Sequence, residues 1–358
     1  MNLPKPKKVY TEKYEAGLSQ FKKKIVKIKL SANESALGPS PKALREYNKV
    51  SRLIKRYPDY NNFFLEKILA KKFKIDFKRI IIGSGSDQIF ELICRAFLKK
   101  NDEVIVPQYS FIIYRIYSKI CGAKVVYSKE ENFKISIKNI LKKVSKKTKI
   151  VFLANPNNPT GTIINKQDLL KLRKKLRKNI LLVVDDAYFE YVKDRNYKSG
   201  LDLFSNSKNV IVTRTFSKIY GLAGLRVGWG YSSKNIIEAL NQIKPPFNVN
   251  KVALSVASVA VKDEKWLKKE IKHVQKWSKT FFNIFKDLKI STNKGYANFM
   301  LISFKNVKKN SKKIFLKLAK SGILVREMSV YNIKNCLRVT IGNSSENKKL
   351  ISEIKKIL

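Results

Sequence analysis

Lys218 stands beside a hydroxyl residue in Arg214-Thr215-Phe216-Ser217-Lys218, and Arg226 follows in GLAGLR. An amine with hydroxyls and a guanidinium close by suits a site that holds a phosphate, because both group types match its oxygens. Asp185 ends the apolar run ILLVV, with Tyr188 three residues on. A carboxylate in that place is costly unless a cation or a proton donor meets it. Ser84-Gly85-Ser86-Asp87 follows RIIIG. Small residues opening a helix let backbone N–H groups approach an anion, and the helix N-terminus favours negative charge. Gln88 occupies the third glycine position of a dinucleotide fingerprint, which excludes that motif. After KIVFLA comes Asn155-Pro156-Asn157-Asn158-Pro159-Thr160-Gly161. Each string has a plain structural reading: an N-cap at Ser86 or Asp87, a Pro/Asn/Gly turn, one lysine among many. The plain readings weaken because every string follows an apolar run.

Those runs are the elements that must carry the strings. Strands are expected at Arg79–Gly83, Glu103–Pro107, Lys124–Tyr127, Lys149–Ala154, Ile180–Asp185 and Val210–Thr213, with amphipathic stretches between most of them. Asp87–Leu98 reads as a helix, with Ile89, Leu92, Ile93 and Phe97 on one face. Near-continuous apolar strands are those covered by helices on both faces, so the chain reads as α/β with a mainly parallel sheet. Ligands of such sheets bind beyond the carboxyl ends of the strands, where the strings lie. Lys244-Pro245-Pro246 marks a boundary. Beyond it, the long amphipathic stretches Val249–Lys262 and Glu264–Leu288 precede strands at Phe299–Ser303, Leu324–Glu327 and Leu337–Ile341. The expected organisation is an N-terminal arm (1–47) joined to a small C-terminal domain (246–358), beside a large domain (48–245).

The 358 residues suffice for about two domains. Cys94, Cys121 and Cys336 form no C-x-x-C pair and are odd in number, which argues against disulfides or zinc and suits a reducing cytoplasm. His273 is the single histidine, so no metal site built mainly on imidazole is expected. The opening MNLPKPKKVY lacks an apolar stretch and does not read as a secretory signal. No run reaches the ~18 apolar residues of a membrane span. The net charge of +49 invites a nucleic-acid reading. The lysines, however, are spread through helical faces such as KLRKKLRK rather than gathered in one block, so only weak, sequence-independent association is expected.

Asn-Pro-x-Asn-Pro-Thr-Gly, Asp-x-Ala-Tyr and Ser-Lys…Gly-Leu-Arg, in this order, resemble the fold type I pyridoxal-phosphate aminotransferases, from about Lys29 to Gly342. KLSANESALGPSP, RYPDY, GSGSDQ, PPFNVN and LRVTIG resemble the histidinol-phosphate aminotransferase branch, apart from Gln88 where that branch usually has glutamate. The resemblance implies a seven-stranded-type sheet carrying pyridoxal phosphate. Lys218 would hold the cofactor as a Schiff base and move the substrate proton. Asp185 would pair with the pyridinium nitrogen, Asn158 and Tyr188 with the phenolic oxygen, and Tyr109 would stack on the ring. Ser86, Asp87, Thr215, Ser217 and Arg226 would hold the phosphate, together with Tyr57 from the partner subunit of a homodimer. Pro58 disfavours helix at Tyr57, which suits a projecting segment. Arg338 would grip the substrate anion, with Arg326 as a second clamp and Asn33 as a lid contact. The reaction implied is transamination between glutamate and imidazole-acetol phosphate, giving histidinol phosphate and 2-oxoglutarate. A broad aromatic aminotransferase, a decarboxylase of a phosphorylated amino acid and a nucleic-acid-binding protein are the alternatives.

Overall fold

Side-chain alternation sorts the larger sheet into two cores. In Leu181–Asp185, Leu182 and Val184 join one hydrophobic cluster while Leu181 and Val183 join another. Thr148–Ala154 divides in the same way, with Val151 and Leu153 on one side and Ile150 and Phe152 on the other. Each buried aliphatic side chain contributes about 1.5–3 kcal/mol, so a one-residue slip in register would be costly. The structure, a computed structural model, describes residues 20–21, 24–58 and 63–358. Asp59 and Tyr60 of the RYPDY string lie outside the described residues.

The larger sheet has seven strands, in the spatial order Ile80–Gly83, Gly228–Tyr231, Val210–Thr215, Leu181–Asp185, Thr148–Ala154, Glu103–Pro107, Lys124–Ser128. All six expected strands are present to within a residue or two. Gly228–Tyr231 was not anticipated, and it runs antiparallel to both neighbours. Its sequence, GWGY, hides it because glycine replaces the apolar side chain where space is short. A Cβ on Gly228 would lie 2.4 Å from the backbone nitrogen of Ser86. The helix after Ile80–Gly83 begins at Gly85, with Ser84 at the N-cap, so the expected cap at Ser86 or Asp87 is corrected. Gln88 Oε1 accepts the Ser84 N–H at 2.8 Å, which pins the turn from inside the helix.

A second sheet orders Ser291–Thr292, Phe299–Ser303, Cys336–Thr340, Ile323–Glu327 and Ile28–Leu30. The last of these is the arm's contribution, a short strand parallel to Ile323–Glu327 that no apolar run announces. One cluster spans both sheets, from Leu182 and Val212 to Leu30, Ile302 and Val339. His273 lies in the Glu264–Asp287 helix, where its Nε2 is 2.9 Å from the carbonyl oxygen of Gly342. Among the described residues, no helix is long and apolar enough to cross a membrane.

The arm also packs on the loop after Val210–Thr215. Gly221 there has φ +70, and a Cβ on it would lie 2.3 Å from the Gly38 carbonyl carbon. Gly221→Ala should therefore lower stability by about 2–4 kcal/mol, combining backbone strain with overpacking. Gly224→Ala, which meets no atom within 4 Å, should leave stability within about 1 kcal/mol of wild type. Denaturant unfolding of the two variants checks the contrast.

Candidate active site

Strand ends from across the larger sheet open into one cavity of about 370 Å³. At one end is a cup for an anion. Ser86 and Asp87 come from the first turn of the Gly85–Phe97 helix, whose N-cap makes no side-chain bond to the free N–H groups. Thr215, Ser217 and Arg226 come from the loop opposite. Arg226 donates to Ser217 Oγ and to Asp87 Oδ2, each at 3.1 Å. Its guanidinium lies where a side chain on Gly85 would be, with a Cβ there only 2.4 Å from Nη2. The fit therefore requires glycine. Burial raises the pKa of Asp87, and the neighbouring Arg226 works against that rise.

Asp185 is buried at its strand end, and Lys218 is half-buried in the same cavity. Asp185 Oδ2 accepts from the Tyr114 hydroxyl at 2.6 Å, and Oδ1 accepts from the Ala187 N–H at 3.1 Å. Burial lifts its carboxyl to about 6, and the Tyr114 bond is the largest opposing influence. Lys218 Nζ donates to the Ala32 carbonyl at 3.2 Å. Burial first, and then the charge of Arg338, pull this amine down to about 8. A larger neutral fraction at working pH makes it a better nucleophile and proton carrier. Tyr188 is pushed up to about 12, mainly by burial, so its hydroxyl keeps its proton.

Two arginines gather at the far end. Arg338 donates to Asn158 Oδ1 and to the Ser31 carbonyl at 2.8 Å. Arg326 stands directly opposite it across the antiparallel pair formed by Ile323–Glu327 and Cys336–Thr340. Like charges in that relation repel, and an anion between them would remove the penalty. Asn33 is held by Thr340, whose Oγ1 accepts its N–H at 2.9 Å, and its side chain donates to the Tyr188 hydroxyl at 3.1 Å.

Two expected residues stand apart from this cavity. Tyr109 is beside it but not in its wall, because its ring packs on Phe133 at 5.7 Å and Phe111 lines the cavity instead. Tyr57 is 78% exposed and stacks on Phe247, with ring centroids 4.7 Å apart. Sequence reasoning missed Tyr114, Phe111, Glu34 and Tyr331. Tyr114 makes the 2.6 Å contact to Asp185, and nothing in the amphipathic helix Ile112–Ile120 (IIYRIYSKI) sets it apart from Tyr117.

The family model for aminotransferase class I and II matches residues 25–354. The histidinol-phosphate aminotransferase of Pelagibacter ubique is 55% identical over 100% of this chain and 99% of its own length. That of Paramagnetospirillum magneticum is 37% identical, covering 99% of this chain and 98% of its own. The crystal structure of histidinol-phosphate aminotransferase from Sinorhizobium meliloti, in complex with pyridoxal-5'-phosphate, superposes with a TM-score of 0.88. At 24% identity, over 93% of this chain and 91% of that one, it establishes the shared fold.

Asp185 makes the site's cost measurable. Its folded pKa of about 6 exceeds the ordinary 3.8, so the stability it contributes is full at pH below 3.8 and is lost as pH rises through about 6. In protein stripped of bound small molecules, Asp185→Asn should stabilise the fold by about 2 kcal/mol more at pH 7.5 than at pH 4.5. Equal effects at both pH values would mean that no uncompensated charge is buried there. Chemical unfolding at the two pH values decides.

Proposed function

This chain belongs to the class I and II aminotransferase family, and from that we propose that it uses pyridoxal phosphate to transfer an amino group from glutamate to imidazole-acetol phosphate, yielding histidinol phosphate and 2-oxoglutarate. The observation that carries the reading is the cavity itself, with an anion cup at Arg226 and paired arginines at Arg338, on either side of Lys218 and Asp185. The likeness to the Pelagibacter ubique enzyme over the full chain supports the choice of substrate.

The residues fit the cofactor. The Gly85 cradle and the first-turn N–H groups suit its phosphate, and a buried carboxylate held by the Tyr114 and Ala187 donors suits a protonated ring nitrogen. Bound there, pyridoxal phosphate supplies an electron sink for the charge that develops at the substrate α-carbon. Lys218 anchors it and carries the proton between the α-carbon and the cofactor's C4′. Asp185 accepts the ring N–H. Tyr188 and the Asn158 amide donate to the phenolic oxygen. Arg338 and Arg326 bind the substrate's anionic group through guanidinium forks, and Asn33 steadies the lid. Tyr109, whose ring packs on Phe133 beside the cavity, would face the cofactor ring.

The working unit in this reading is a two-fold homodimer in which Tyr57 reaches the phosphate in the second copy, as its exposure on the Phe247 ring suggests. The described part of 48–245 forms the cofactor-carrying domain, and the described part of 1–47 joins 246–358 as the smaller one, supported by the arm strand Ile28–Leu30 in the second sheet. The free thiols of Cys94, Cys121 and Cys336 favour a cytoplasmic setting.

Steady-state kinetics on histidinol phosphate, tyrosine and phenylalanine should give a kcat/KM at least about 100-fold higher for histidinol phosphate, a difference of about 2.7 kcal/mol. Equal values would point instead to a broad aromatic aminotransferase.

The dimer has its own test. Tyr57→Asp and Lys218→Ala should each be inactive alone. Refolded together, they should recover roughly a quarter of wild-type activity, because half the dimers are mixed and each mixed dimer holds one intact site. No recovery with mixed dimers present would mean that Tyr57 does not serve the other chain's site.

A further inference from the structure

We propose that Tyr114 is a positioning residue for Asp185, its phenol keeping the carboxylate ionised and correctly turned for a cationic ring nitrogen. The proposal rests on the pyridoxal-phosphate reading of the site and extends it to a residue that touches neither cofactor nor substrate.

Packing explains the ring of Tyr114 but not its hydroxyl. The ring is fully buried and lies parallel to Phe152, with centroids 4.9 Å apart and 6° between planes. Phe90 and Phe111 meet it edge-on at 5.0 and 5.7 Å. Phenylalanine would satisfy that cluster equally well, and a buried phenol without a partner would weaken it. The hydroxyl's contact with Asp185 is 2.6 Å, in the range of charge-assisted O–H···O⁻ bonds. Four aromatic rings in contact leave the phenol little freedom, so the direction of the bond is fixed by packing.

The groups around the pair set its protonation. Facing Asp185 are the Tyr114 hydroxyl, the Ala187 N–H, the Thr213 hydroxyl at 3.5 Å, the Asp87 carboxylate and the Lys218 amine. Burial and Asp87 oppose ionisation, whereas the two bonds and Lys218 favour it. Tyr114 faces Asp185, Tyr188 and Asp87, and burial with these neighbours holds its own proton well beyond the usual range. It is therefore a donor throughout the working range, and the carboxylate is the partner that titrates. Without the phenol, Asp185 would protonate at a higher pH and so present less negative charge to a protonated ring nitrogen.

The test begins on cofactor-free protein labelled with ¹³C-aspartate, in which Asp185→Asn identifies the Asp185 carboxyl signal. Tyr114→Phe should raise the titration midpoint of that signal by about one unit, a tenfold gain in proton affinity. Replacing Tyr114 alone by 3-fluorotyrosine, a stronger donor of the same shape, should move it the other way. In the loaded protein, Tyr114→Phe should weaken pyridoxal-phosphate retention about tenfold and lower kcat, with KM for the amino donor little changed. A merely structural role would lower melting temperature while leaving the Asp185 midpoint where it was. An unmoved midpoint in both variants overturns the assignment. Failure of the wild type to bind pyridoxal phosphate would instead overturn the reading of the site, and the two failures are distinguishable because the midpoint is measured without cofactor.

Discussion

Asp185 ends the central strand of the seven-stranded sheet, where helices cover both faces and burial works against its charge. Much of the site can be understood as a response to that placement. A strand buried on both faces delivers its last residue to a fixed point with little thermal latitude, which a group that must meet a ring nitrogen needs. The same burial lifts the carboxyl to about 6, so holding it ionised at neutral pH works against the fold. Local donors from Tyr114 and Ala187 offset part of the cost, and a cation in the cavity would offset more.

The two anion-binding ends follow similar logic with opposite sign. Arg226 is tied to Ser217 and Asp87, so its guanidinium is held in one orientation. Arg338 is oriented by Asn158 and Ser31, and Arg326 opposes it across the strand pair. Hydrogen bonds of this kind fix the direction of a guanidinium in advance, which forked recognition of an anion requires. The arm contributes directly, because the Ala32 carbonyl holds Lys218 and the Gly38 backbone packs against Gly221. The fold thus brings the arm, both sheets and the cofactor loop to one amine.

The larger sheet was legible because its strands are buried on both faces and must be apolar throughout, as in Leu181–Asp185 and Thr148–Ala154. The Gly228–Tyr231 strand was not, because close approach to Ser86 at Gly228 and to Ile81 and Ile89 at Gly230 puts glycine at alternate positions and erases the apolar run. Ile28–Leu30 is too short to show a period, and its place depends on a partner almost 300 residues away. Lys218, Asp185 and Arg226 stand at strand ends and could be read from position. The pairing of Arg326 with Arg338 depends on cross-strand register, which one sequence does not display. Tyr114 was hidden by its surroundings, since a tyrosine among isoleucines on a buried helix looks like core. Tyr109 was legible as a residue but not as a position, because Phe111 takes the wall of the cavity.

The central claim is that one lysine among many is chemically distinct because of where the fold holds it. Purified protein loaded with pyridoxal phosphate and reduced with borohydride can be digested and its labelled peptide identified. The account predicts a single adduct on Lys218, lost in Lys218→Ala along with transamination. An adduct on another lysine, or labelling scattered over the surface, would contradict it.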